Sequence, residues 1–103
     1  MNSAEPLVRN NRHHHRFELE IDGKLSIIAY QDIDDQTLAV VHTEVDRSLE
    51  GKGVGSRLVA GMLSYVESHD LKIVPLCPFV AAYLERHPEW SHVVSTEYSV
   101  NDF

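Results

Sequence analysis

Val45–Leu58 reads V-D-R-S-L-E-G-K-G-V-G-S-R-L. It carries three of the chain's five glycines, on alternate positions Gly51, Gly53 and Gly55. An apolar, strand-like run precedes it, and Leu58, Val59, Met62, Leu63 and Val66 follow at helical spacing. The stretch is therefore a strand-to-helix turn built from bare backbone. Glycine lets N–H groups turn toward an anion with no side chain in the way. The first turn of the following helix adds unpaired N–H groups and a partial positive charge. Val45, Gly51, Lys52, Gly53, Val54, Gly55 and Ser56 are thus candidates to hold a pyrophosphate. A tight turn with no ligand is the competing reading.

Known phosphate loops do not fit. The pattern G-x-x-x-x-G-K-[ST] fails because Gly51 to Gly55 is one residue short and Ser56-Arg57 follows. The dinucleotide pattern G-x-G-x-x-G fails because the spacing here is G-x-G-x-G.

Upstream, Phe17, Leu19 and Ile21 alternate with Glu18 and Glu20, the period of a half-buried strand. Asp22-Gly23 signals a tight turn into a second strand, Lys24 to Gln31. Asp32–Gln36 reads as an acidic turn, and Leu38–Val45 as a central third strand. Downstream, the first helix is expected over Ser56–Ser68 and a fourth strand over Leu71–Val74. A strand, helix and strand in about 35 residues form a crossover with parallel strands. Pro75-Leu76-Cys77-Pro78 then leads into a second helix with Phe79, Val80, Tyr83 and Leu84 on its apolar face. His87-Pro88 ends that helix. Trp90, Val93 and Val94 suggest a last short strand or an irregular tail. The expected architecture is α+β: an antiparallel meander followed by a parallel β-α-β-α unit. The ordered domain is expected over 16–95, after a flexible leader at 1–15 and before a tail at 96–103. His13, His14 and His15 in that leader are too close together to converge on one metal ion, and no metal site is expected.

With 103 residues and 43% hydrophobic content, one domain with a modest core is expected. The formal net charge of −7 argues against nonspecific nucleic-acid binding. No apolar run is long enough to span a membrane. The first residues lack the apolar segment of a signal peptide. The single cysteine excludes an internal disulfide and fits a reducing, cytoplasmic setting.

Cys77 falls where the fourth strand ends, and Pro78 suits the first position of the next helix. A thiol at that N-cap feels the helix dipole, which favours a reactive thiolate. The parallel strands put both helix N-termini on one sheet edge, so Cys77 should lie near the glycine turn. A small buried hydrophobe is the plain alternative. His42 and Glu44, two apart on the third strand, share a face and could act as a general base. An ordinary polar pair is equally consistent. H-T-E at 42–44 with P-L-C at 75–77 approximates a zinc deaminase signature, but one cysteine cannot complete the metal ligands.

The segments H-T-E-V at 42–45, G-K-G-V-G-S-R-L-V at 51–59 and P-L-C-P-F-V-A-A-Y-L-E-R-H-P-E-W at 75–90 occur in this order. Together with R-F-E-L at 16–19 and Asp22-Gly23, they resemble the small, single-domain GNAT-type N-acetyltransferases of the YidJ/YjdJ kind. The resemblance implies a compact GNAT-like fold with acetyl-coenzyme A as ligand. It implies the pyrophosphate on Gly51–Ser56, the pantetheine arm along His42–Val45 and the thioester near Cys77. It also implies Cys77 and His42 as a catalytic pair acting on an amine acceptor. Two routes fit: direct transfer, with Glu44 or His42 deprotonating the amine, and a covalent route in which the Cys77 thiolate, assisted by His42, takes the acetyl group first. The alternative is a coenzyme A-binding module that delivers the cofactor to a partner protein. Two positions depart from the general GNAT pattern. Glu50 stands where glutamine or arginine is usual, and is expected to face solvent. Pro78 stands where an asparagine is usual, and Tyr83 is out of register with the usual tyrosine.

Overall fold

The computed structural model describes residues 7–103. Its strands are β1 (Arg9–Asn11), β2 (Arg16–Ile21), β3 (Lys24–Asp34), β4 (Thr37–Glu44) and β5 (Lys72–Pro75). They form one sheet in the order β1-β2-β3-β4-β5. All neighbours are antiparallel except β4 and β5, which are parallel. The two α-helices are α1 (Val54–Ser68) and α2 (Pro78–Arg86). The expected α+β plan, a meander followed by a parallel β-α-β-α unit, is the architecture observed.

Several boundaries differ from the sequence reading. The sheet begins before Arg16, because Arg9–Asn11 pairs with Arg16–Glu18. Residues 1–6 of the expected leader lie outside the described residues. Strand β3 runs on through Asp34, so the acidic turn shrinks to Asp35-Gln36. Helix α1 starts at Val54, two residues early, because Gly53 itself is the N-cap. Phe79 leaves the expected apolar face of α2 and is 41% exposed, whereas Val80 and Tyr83 are buried. Trp90 and Val93 sit in a 3-10 helix, Pro88–Val93, which leads to a single parallel bridge from Val94 to Ile73. Another 3-10 turn, Val100–Asp102, is closed by a reciprocal cap between Ser99 and Asp102.

The core explains the layering. Phe17, Leu19, Ile28 and Val40 from the sheet meet Leu58, Met62, Leu63 and Val66 of α1 and Val80 of α2, all 0–1% exposed. Both helices therefore lie on one face. Helix α1 stops cleanly: Asp70 adopts a left-handed conformation and the Leu71 N–H reaches back to the Val66 carbonyl at 2.8 Å. The reversal seats β5 beside β4.

An irregularity sets the facing of β4. Tyr30 pairs with Val40 and Ala29 with His42, so Val41 is an extra, bulged residue. After the bulge, Thr43 pairs with buried Ile28, whereas His42 and Glu44 pair with Ala29 and Ile27. Direct cross-strand partners share a face. Thr43 thus points to the helix side, and His42 and Glu44 point to the other.

On that other side, the Glu18 side chain is only 8% exposed. Arg16 Nε donates to its carboxylate at 2.7 Å and Asn11 Nδ2 at 2.9 Å, and Arg9 lies at 3.7 Å. Burial pushes the carboxyl up, but the hydrogen bonds from Arg16 and Asn11 and the Arg16 and Arg9 charges outweigh it, and its pKa falls below the usual value. A carboxyl held low stabilises the fold at neutral pH. That stabilisation is lost as pH falls from the ordinary glutamate range toward the folded value. Glu18→Gln should cost about 1–2 kcal/mol at neutral pH. Its thermal midpoint should also fall less than the parent's between neutral and acidic pH, as followed by circular dichroism.

Candidate active site

Strands β4 and β5 pair from Thr37–Lys72 to Val40–Pro75 and then part. The Val40 carbonyl accepts N–H groups from both Leu76 and Cys77, each at 2.9 Å. This double acceptance turns the chain off the sheet, and Cys77 becomes the N-cap of α2 with extended backbone. From the bulged Val41 onward, β4 continues to Glu44 without a β5 partner. The strands open there into a wedge, with α1 and α2 both starting at its mouth.

A cavity of about 420 Å³ occupies this mouth. Its lining includes Val45, Gly51, Gly53, Val54, Gly55 and Ser56, six of the seven residues singled out for the anion site. Lys52 is exposed and absent from the lining, and its N–H is spent on the Leu49 carbonyl at 3.3 Å. Glu50 is exposed, as expected, yet it also lines the cavity. The glycines have separate reasons. Gly51 and Gly53 have φ of 81° and 75°, which side-chain-bearing residues rarely adopt. At Gly55 the reason is contact: a Cβ there would sit 2.7 Å from Cζ of Phe79.

The start of α1 suits an anion, although Glu50 also borders the cavity. Gly53 supplies no side-chain cap to α1, and no acidic residue lies in its first turn. The first N–H groups of a helix have no partner within it. The hydrogen bond that opens α1 runs from the Arg57 N–H to the Gly53 carbonyl at 3.1 Å. Asp46 is turned to another task. It caps the 3-10 turn Arg47–Leu49, accepting from the Ser48 hydroxyl at 2.6 Å and N–H at 3.0 Å, and these bonds lower its pKa. The opposite wall is apolar, made by Val45, Leu49, Val54 and Phe79.

The reactive groups are distributed over two faces. Cys77 is 4% exposed, and its Sγ lies 3.3 Å from Oγ1 of Thr43, which lines the cavity. His42 Nε2 and Glu44 Oε2 are 3.1 Å apart, and both side chains are more than half exposed on the other face of β4. The structure joins Cys77 to Thr43 and His42 to Glu44; it does not join Cys77 to His42. Sequence reasoning misses Thr43 and Phe79 as site residues. Strand alternation is the available signal for Thr43, since a residue between His42 and Glu44 must face the opposite way. Among the described residues, no group of three His, Cys, Asp or Glu side chains could hold a metal ion.

Known proteins resemble this chain in sequence and fold. A model of the GCN5-related N-acetyl-transferase family matches residues 16–93, and the chain belongs to that family. Protein NATD1 of Xenopus tropicalis is 24% identical over 88 residues, covering 84% of this chain and 81% of that protein. Protein NATD1 of Mus musculus is 24% identical over 83 residues, covering 79% and 76%. The solution structure of a GCN5-like putative N-acetyltransferase from Staphylococcus aureus has a TM-score of 0.65 and 26% identity, covering 85% of this chain and 86% of that one. Family and fold together point to N-acetyl transfer, for which acetyl-CoA is the family's cosubstrate.

The Gly55–Phe79 contact is testable in the free protein. Gly55→Ala should change stability by less than about 1 kcal/mol, because the Phe79 ring it meets is exposed and can swing aside while alanine favours the helix. In Phe79→Ala, with the contact gone, the same change should stabilise by up to about 1 kcal/mol. Urea denaturation of the four proteins in this cycle measures the coupling.

Proposed function

We propose that the protein is an acetyl-CoA-dependent N-acetyltransferase of the small YidJ/YjdJ kind. The observation that carries this reading is the cavity at the uncapped N-terminus of α1, bounded by Thr43 and by an apolar wall. Its two halves suit the two halves of coenzyme A. The N–H groups of Val54, Gly55 and Ser56, with the Gly51–Gly53 turn, would receive the pyrophosphate. Val45, Leu49 and Phe79 would flank the pantetheine arm beside the open edge of β4. Lys52, exposed next to the turn, would add positive charge.

In this proposal the acetyl group passes through Cys77. The Cys77 sulfur bonds to the acetyl carbon as that carbon's bond to the coenzyme A sulfur breaks, and coenzyme A leaves as a thiolate that takes a proton from solvent. An amine then attacks the Cys77 thioester, restoring the cysteine. His42, held by Glu44, lies across β4 and would take the proton from the amine at the open end of the wedge. For this the amine would have to reach both faces at the end of the wedge where β4 and β5 are unpaired beyond Val40. No helix of the described residues is long and apolar enough to cross a membrane. The proposal places the reaction in the cytoplasm, with neither nucleic acid nor membrane as partner.

A second reading, a coenzyme A-binding module serving a partner protein, is favoured by the exposure of His42 and Glu44 outside the cavity. Intact-protein mass spectrometry after incubation with acetyl-CoA separates the two. The proposal expects one added acetyl group, absent in Cys77→Ser, and loss of amine acetylation in that variant. Undiminished amine acetylation by Cys77→Ser would reject the route through sulfur. Coenzyme A binding with neither labelling nor turnover would leave the binding module.

A further inference from the structure

Cys77 has a neighbour that its surrounding sequence does not reveal. The cysteine is buried and does not itself line the cavity. Thr43 links the two: it lines the cavity and its hydroxyl lies 3.3 Å from the sulfur. The bulge at Val41 is what brings it there. It sets Thr43 on the helix side while His42 and Glu44 turn away. Cys77 belongs to the apolar core of the domain, whose other ionisable members are the phenols of Tyr30 and Tyr83. From β4, the ionisable groups His42 and Glu44 bond to each other on the opposite face.

We propose that Thr43 is the positioning residue for the Cys77 nucleophile, holding the sulfur directly behind the cavity wall and stabilising its thiolate by a hydrogen bond. This rests on the reading that acetyl passes through Cys77. A hydroxyl has one donor and two acceptor sites, so it can accept from the thiol and donate to the thiolate. Donation to the charged form is the stronger of the two. The contact therefore favours the ionised sulfur, the form that attacks a thioester. The proton leaves to water in the cavity, and coenzyme A recovers one from solvent when it departs, so the transfer is proton-balanced. Thr43 itself forms no covalent bond.

The test compares the parent with Thr43→Val, which keeps the shape and loses the hydroxyl, and Thr43→Ser, which keeps the hydroxyl. Iodoacetamide reports on Cys77 alone, because the chain has one cysteine. Alkylation of Thr43→Val should be about tenfold slower at neutral pH, with its rate–pH profile moved to higher pH. Acetyl labelling measured at saturating acetyl-CoA, where any change of affinity drops out, should slow similarly. Thr43→Ser should restore both rates. Three results would overturn the proposal: an unchanged alkylation profile in Thr43→Val, a uniform rise at every pH that makes Thr43 a mere cover, or no rescue by Thr43→Ser in a folded protein. If the parent fails to bind coenzyme A, the proposed function fails, and the alkylation profiles still decide the role of Thr43.

Discussion

The Val40 carbonyl accepts N–H groups from both Leu76 and Cys77, at the point where the β4–β5 ladder ends, and the site is laid out by that double bond. A regular parallel ladder would continue to pair β4 as far as Glu44. Here the chain turns off the sheet after Pro75 instead. The turn ends one strand, places Cys77 at the N-cap of α2 and leaves residues 41–44 of β4 without a partner on that edge. Backbone groups on an open strand edge remain available to a ligand.

The glycine turn completes the wedge. Two left-handed glycines swing the chain from β4 into α1, and the third admits the Phe79 ring from α2. The loop and the second helix are therefore fitted to each other, although Gly55 and Phe79 are far apart along the chain. Asp46 supports the same turn from outside by capping Arg47–Leu49, while its N–H donates to Ser26 on β3 at 3.2 Å. The mouth is thus tied to the meander at one end and to α2 at the other.

Most of the fold is legible in the sequence because its signals are local. Alternation marks β2 and β3, Asp22-Gly23 marks their turn, and helical spacing of Leu58, Met62 and Val66 marks α1. Features that depend on pairing are not legible. Strand β1 is three polar residues, Arg-Asn-Asn, and is held by β2 and by the charges around Glu18 rather than by an apolar pattern. The bulge at Val41 leaves no mark in composition. For the site, the glycine turn and the N-cap position of Cys77 can be read from Gly and Pro chemistry. The partner of Cys77 cannot, because choosing Thr43 over His42 requires knowing which face of β4 meets the helices.

The central claim is that the wedge between β4 and β5 receives coenzyme A with its pyrophosphate on the glycine turn. Titration of the labelled protein with coenzyme A, followed by amide chemical shifts, tests it most directly. The account predicts saturable shifts concentrated at residues 43–56 and 77–80, and their loss in Gly53→Glu. Saturable shifts confined to other parts of the chain, or no shifts at millimolar coenzyme A, would contradict it.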